Sequence, residues 1–174
     1  MLTSISIRKV LATDDMTALT ELLHAAYTLR AAANLRCRAT HQTPFDTASR
    51  FAQGQGFVAE ISGKPVGTIT VRPSNRDSPI AFFREPNTWT FCQFGVLPEF
   101  RGAGIGRKLH STAVSYAAHH GGKKMCLDTA APAKDLIDMY LRWGYTIVGE
   151  ADWRPTTNYL SIVMLCDIAG HAKT

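Results

Sequence analysis

Three glycines at alternate positions, Gly102, Gly104 and Gly106, follow Arg101 and precede Arg107 and Lys108 in the stretch GVLPEFRGAGIGRKL. Glycine has no Cβ to block a close approach and adopts positive φ freely, so such a turn lets the backbone curl around a bound group. Where the turn runs into a helix, the first amide N–H groups of that helix are unpaired, point the same way and favour an anion. Charge-assisted hydrogen bonds of about 1.5–3 kcal/mol each, with roughly 0.3–1 kcal/mol from the helix dipole, suffice together to hold a pyrophosphate. The same glycines would also serve a plain tight turn. Their spacing separates the ligands: the third glycine of G-x-G-x-x-G would fall at Arg107, and no lysine followed by Ser or Thr completes a Walker loop. A dinucleotide or ATP loop is therefore disfavoured.

The flanking residues say what must hold this turn in place. Ile5 to Val10 alternates apolar and polar residues as a half-buried strand does, and Thr13 or Asp14 then offers a helix N-cap. Met16, Leu19, Leu22, Leu23, Ala26 and Tyr27 repeat at three- and four-residue spacing and predict one amphipathic helix through about Ala33. A short helix is expected near Asp46 to Ala52. Phe57 to Ile61 and Val66 to Arg72 read as a hairpin, and the proline-containing Pro73 to Asn87 as a loop. The aromatic, β-rich Thr88 to Leu97 leads into the glycine turn and a helix from about Gly104 to His119 with Ile105, Leu109, Ala113 and Tyr116 on its buried face. KKMCLDT is a strand, PAKDLIDMYLRW a helix starting near Pro132, and GYTIVGE and NYLSIVMLCDI two further strands. The order β-α-(α)-β-β-β-α-β-α-β-β, without internal repeats, predicts a single α/β domain over residues 1–174 with a mixed sheet.

The strand, Val96, Pro98-Glu99, the turn Arg101-x-x-Gly104-x-Gly106 and the amphipathic helix together resemble the acetyl-CoA motif of the GNAT superfamily of N-acetyltransferases. The resemblance extends over most of the chain. It implies an α/β fold with a mixed, mostly antiparallel sheet, helices on both faces and splayed central strands. It also implies acetyl-CoA as co-substrate, its pyrophosphate held by the amides of Arg101, Gly102, Ala103, Gly104, Ile105, Gly106 and Arg107. The pantetheine arm would then pair with the main chain of Phe94, Gly95 and Val96. A second stretch, MYLRWGY, resembles the family's Tyr-x-x-x-Gly-aromatic signature, with Tyr140, Gly144 and Tyr145 in register. In the family that tyrosine often gives a proton to the departing CoA thiolate. Taken alone, Tyr140 shares a helix face with Leu136, Ile137 and Leu141 and reads as a core tyrosine whose hydroxyl finds a partner. One position departs from the family pattern: Ala133 stands where an asparagine is common seven residues before the tyrosine, leaving the main chain near Asp128 to Ala131 to hold the middle of the cofactor.

Acetyl transfer to an amine needs a neutral nitrogen, and a lysine-like amine is neutral about one part in 2,500 at pH 7, equivalent to roughly 4.6 kcal/mol. Candidate proton acceptors or substrate contacts are Glu60, His41 and Asp152, with Gln93 and Cys92 on the central strand. Each also reads as an ordinary surface or hydrogen-bonding residue. The expected chemistry is direct attack of the amine, a tetrahedral intermediate polarised by a strand N–H, and loss of thiolate protonated by Tyr140. A ping-pong route through Cys92 or Cys126 lacks an activating base nearby. A non-catalytic acyl-CoA-binding sensory or structural module is the alternative from a different class.

Composition narrows the field further. The chain has 174 residues, 45% of them hydrophobic and 19% charged, the profile of a globular domain rather than a disordered or membrane-spanning one. A net charge of +5 favours anionic partners, yet the basic residues are scattered rather than striped with aromatics, which disfavours nucleic acid. It also argues slightly against a strongly cationic acceptor. The four cysteines have no metal-ligand spacing, and the N-terminus lacks a signal-peptide core, so a cytoplasmic, metal-free protein is expected. Homodimers are common in the family that the motifs resemble.

Overall fold

The computed structural model describes residues 4–173. Seven strands form one sheet in the order β1-β2-β3-β4-β5-β7-β6: β1 Ile5–Lys9, β2 Gln55–Ile61, β3 Lys64–Arg72, β4 Thr88–Val96, β5 Lys124–Ala130, β6 Thr146–Asp152 and β7 Leu160–Asp167. Every neighbouring pair is antiparallel except β4 and β5. That parallel pair needs a crossover, which the helix Ile105–His119 supplies.

Helices lie on both faces. On one face α5 (Ile105–His119) buries Ile105, Leu109, Ala113 and Ala117 against Phe57, Ile69, Val71 and Met125. On the other, α1 (Met16–Ala26) and α3 (Pro44–Ala52) enclose Leu19, Phe51 and Val58. The helix α6 (Lys134–Arg142) adds Ile137 and Tyr140 to the larger core. Two short helices complete the set, α2 (Thr28–Ala32) and α4 (Ala81–Arg84), the latter inside the segment expected to be all loop.

Local departures from expectation have local causes. The N-cap of α1 is Asp15, whose carboxylate accepts from Thr17 N (2.9 Å) and Ala18 N (3.1 Å). Its neighbour Asp14 is instead drawn to the Arg8 guanidinium at 2.9 Å. The single helix expected through Ala33 breaks at Tyr27, where the backbone leaves the helical region and the hydroxyl donates to Phe94 O at 2.9 Å. The helix α3 starts two residues before the expected Asp46 because Pro44 suits the first turn and Thr43 forms a capping box with Asp46.

The centre of the sheet is split. β4 pairs with β5 only over Thr88–Thr90, against Lys124–Cys126. On its other side, Thr68 of β3 faces Gly95 while Thr70 faces Cys92, so Gln93 and Phe94 together oppose Ile69 alone. This bulge, with Gln93 at φ 48°, kinks β4 away from β5.

Candidate active site

The turn after β4 leaves an uncapped helix. Gly104 is the N-cap of α5 and has no side chain to offer, and Lys108 N–H is the first to reach a helical carbonyl, Gly104 O at 3.1 Å. The N–H groups of Ile105, Gly106 and Arg107 therefore have no helical partner. Gly102 and Gly104 sit at φ 81° and 77°, with no atom within 4 Å of the place a Cβ would take. Conformation, not crowding, demands glycine there. Gly106 is helical, and a Cβ on it would make only ordinary contacts, with the Phe94 ring at 3.5 Å and Val96 Cγ2 at 3.8 Å. Arg101 plays a different part: its amide closes onto Pro98 O at 3.2 Å and its guanidinium donates to Ala26 O, tying the turn to α1. The Arg107 guanidinium lies 5.0 Å from the Trp143 ring centre.

Beyond Thr90 the edge of β4 that faces β5 is unpaired. Leu97 N–H donates to Val66 O on the β3 side, and backbone groups alternate sides along a strand, so the N–H and C=O of Val96 point into the splay. Phe94 O is occupied by the Tyr27 hydroxyl.

Below this edge lies a cavity of ≈ 380 Å³, with walls from α2, α3, the ends of β3, β4 and β5, α6, and the β6–β7 connection. Its roof is strapped by Asn158, which accepts from Arg36 N (2.8 Å) and donates to Asn34 O (2.7 Å), and by an ion pair between Arg30 and Asp135.

Four tyrosines lie in or beside the cavity, Tyr27, Tyr140 and Tyr159 in its lining and Tyr145 packed on Tyr140, and their hydroxyls differ; that of Tyr159 meets the Cys37 thiol. Tyr27 donates to Phe94 O; the Tyr145 hydroxyl meets His110 Nε2 at 2.7 Å. The Tyr140 ring is 6% exposed among Phe91, Trp143 and Tyr145, yet its hydroxyl has no hydrogen-bond partner among the described residues and lines the cavity. Burial raises its pKa far above the usual phenol, so it stays protonated.

The cavity also holds a carboxylate that the sequence reading had passed over except for its main chain. Asp128, on β5, accepts from Trp153 Nε1 at 2.9 Å. Burial raises its pKa above the ordinary carboxylate value, opposed by hydrogen bonds from Trp153 and Ser161 and by the charge of Arg72. The available signal was a lone aspartate inside an apolar strand, a residue that strands disfavour.

The other sequence candidates fall in different places. Gln93 and Cys92 line the cavity, but the Gln93 amide is spent on Gln42 Nε2 (2.7 Å) and Thr70 Oγ1 (3.1 Å) within a buried polar network. Glu60 lies on β2 outside the cavity lining, with its carboxylate gripped by Arg8 at 2.7 Å. Asp152 is outside it too; the Arg154 side chain and amide hold its carboxyl down at about 2. His41 is an exposed side chain beside Thr40. Cys126 is fully buried, and burial pushes its thiol up to about 12, which leaves no thiolate for a ping-pong step. Ala133 is buried at the cavity wall. No described group of three or more His, Cys, Asp or Glu could hold a metal ion, and no helix among the described residues is long and apolar enough to cross a membrane.

Residues 16–145 match the model of the acetyltransferase (GNAT) family. The chain is 32% identical over 90 residues to the probable N-acetyltransferase camello of Xenopus tropicalis, covering 51% of this chain and 37% of that protein. It is 26% identical over 117 residues to N-acetyltransferase 8 of Mus musculus, covering 67% and 49%. The chain thus spans less than half the length of these curated relatives. In fold it is similar to PH1933 from Pyrococcus horikoshii OT3, with TM-score 0.72, 20% identity and coverage of 94% and 98%. It is similar also to a GNAT family acetyltransferase from Elizabethkingia anophelis with acetyl-CoA bound, with TM-score 0.64, 14% identity and coverage of 94% and 97%.

Proposed function

Because the chain belongs to the acetyltransferase (GNAT) family, we propose that it moves an acetyl group from acetyl-CoA to a primary amine held between β4 and β5, by direct attack of that amine. The observation that carries the reading is Tyr140, a buried side chain whose protonated hydroxyl has no hydrogen-bond partner among the described residues, on the wall of the cavity that Asp128 and the open edge of β4 share.

Acetyl-CoA fits the groups at hand and supplies an activated thioester. The unpaired amides at the start of α5 and the two left-handed glycines hold its pyrophosphate, and the free N–H and C=O of Val96 align the pantetheine arm. A strand N–H facing the splay polarises the acyl oxygen. Asp128 takes the proton that the amine must lose, and its raised pKa makes it a better base than an ordinary carboxylate. It replaces Glu60, His41 and Asp152 in that role because it alone of the four lines the cavity. Tyr140 donates a hydrogen bond to the sulfur as the thiolate departs.

Calorimetry with acetyl-CoA beside a thiol-release assay over a panel of primary amines tests the proposal. Binding together with amine-dependent release supports it. Binding without release on any amine would assign the chain to the non-catalytic acyl-CoA-binding class.

A further inference from the structure

Four arginines, Arg30, Arg38, Arg50 and Arg72, line the cavity, against two carboxylates, Asp46 and Asp128. They divide into two kinds. Arg30 is paired with Asp135, and Arg38 with Asp46 at 3.6 Å. Arg50 and Arg72 have no carboxylate within ion-pair distance among the described residues. Arg50 Nη1 donates to Gln42 Oε1 at 2.5 Å and Arg72 Nη1 to Gln53 Oε1 at 3.0 Å, both neutral acceptors. Arg72 Nε is buried with no hydrogen-bond partner among the described residues. A buried donor without an acceptor is costly, and native structures rarely keep one without a reason.

Both arginines are built into the site. The charge of Arg50 acts on the Tyr27 hydroxyl, which is bonded to Phe94 O at the bulge, and that of Arg72 acts on Asp128. The planar guanidinium fork suits an oxyanion. Asp128, close by, would repel a dianion such as a phosphate monoester, but it complements the amino end of a molecule whose other end is a monoanion. Cavity size points the same way, because ≈ 380 Å³ is at the small end of the range for ligand sites.

We propose that the acceptor is an amine that also bears a carboxylate, its carboxylate bound by Arg50 and Arg72 and its amino group presented to Asp128. This rests on the cavity being the acceptor site of an acetyltransferase, and it narrows the acceptor from any primary amine to amino-acid-like amines. The two sources of that chemistry are free amino acids and short peptides with an N-terminal Asp or Glu.

The test is a thiol-release assay on the full chain with acetyl-CoA and matched pairs: L-leucine with isopentylamine, L-phenylalanine with phenethylamine, L-tryptophan with tryptamine. Peptides beginning with Asp or Glu form one extra arm, and phosphoethanolamine with ethanolamine another. The expected result is kcat/KM at least about 30-fold higher for the carboxylate-bearing member, the scale of one charge-assisted pair. In Arg50→Gln and Arg72→Gln that ratio should collapse through KM, while calorimetric affinity for acetyl-CoA holds. Arg50→Lys and Arg72→Lys, which keep the charge, should retain part of it, and melting temperatures identify any variant that fails to fold. Preference for the acidic peptides over free amino acids would support the same chemistry and place the carboxylate on a peptide. Equal turnover of matched pairs, or a preference for phosphoethanolamine, would overturn the carboxylate proposal and leave acetyl transfer standing. Acetyl-CoA binding without release on any arm would overturn the transferase reading itself.

Discussion

Replacing Tyr140 with Phe separates a catalytic hydroxyl from a structural one, because Tyr145 supplies the control within the same aromatic cluster. The Tyr140 hydroxyl makes no hydrogen bond to a described residue, so deleting it breaks nothing in the resting protein. Stability should stay nearly the same, since no hydrogen bond within the described residues is lost. In the proposed reaction the hydroxyl meets a departing thiolate, and a hydrogen bond to a charged group contributes about 1.5–3 kcal/mol. Loss of that bond should lower kcat about 10- to 150-fold, with acetyl-CoA affinity unchanged. Tyr145→Phe should do the reverse. It removes a 2.7 Å bond to His110 Nε2 in a buried setting and lies outside the cavity lining. That loss is worth about 1–3 kcal/mol, or roughly 2–10 °C of melting temperature for a chain of this size, with kcat nearly intact. Because burial raises the Tyr140 phenol above its ordinary value, no alkaline limb from it should enter the pH profile near neutrality. Steady-state kinetics and thermal melts on the two variants decide the matter. Unchanged turnover in Tyr140→Phe, or a melting loss equal to that of Tyr145→Phe, would refute the role given to Tyr140.

Further expectations follow from other groups. In the proposed reaction Asp128 acts as a base only when ionised, and its pKa is raised by burial, so kcat/KM should fall as pH drops through a value above the usual carboxylate range. Asp128→Asn should lower the rate about 10²- to 10⁴-fold and abolish that acid limb; a persisting limb would assign it to another group. His110 is buried and its pKa is lowered from 6.5 to about 4, so the stability it contributes is complete above pH 6.5 and is lost as pH falls toward 4. At about 1.4 kcal/mol per pKa unit this comes to roughly 3 kcal/mol. Denaturant unfolding at pH 7.5 and 4.5 should show that loss in the parent and a flatter response in His110→Gln. Gly104→Ala places a side chain at φ 77° and should cost about 1 kcal/mol of stability along with acetyl-CoA affinity. Gly106→Ala is unstrained, so any loss of acetyl-CoA affinity there, measured by calorimetry, reports how closely the ligand approaches the backbone.

The donor and acceptor halves of the cleft differ in how far the sequence reveals them, and the difference is physical. The anion recognition proposed at the start of α5 uses amides of consecutive residues, and the geometry that frees them is written in the local order strand, glycine turn, helix. A contiguous motif can be read without the fold. The strands and helices were equally accessible, because periodicity marks each along the chain, whereas the mostly antiparallel order and the helices on both faces were what the family resemblance implied. The proposed acceptor side is assembled from Tyr27 at the α1–α2 junction and Arg50, Arg72, Asp128 and Tyr140 on four further elements, which meet only when the sheet splits. Arg50 and Arg72 look like surface residues in their own segments. What distinguishes them is a missing counter-ion, and an absence of that kind has no sequence signal.

Gln93 shows how a residue can matter to the site by a route other than its side chain. Its residue type suggested a substrate contact, yet its amide is consumed by Gln42 and Thr70 and its carbonyl by Thr68 Oγ1 at 2.7 Å. Those bonds hold a left-handed backbone at φ 48°, a conformation that costs of order 1–3 kcal/mol outside glycine and persists only where the surroundings enforce it. The bulge that results bends β4 away from β5 and frees the edge on which Val96 lies. Gln42 also accepts from Arg50, which lines the cavity. One buried network therefore fixes both the opening of the strands and the position of a guanidinium assigned to the acceptor. A cleft built this way couples the two halves of the reaction: loosening the Gln42–Gln93 contact should disturb the thioester edge and the anion site together, whereas Arg50→Gln alters the second alone.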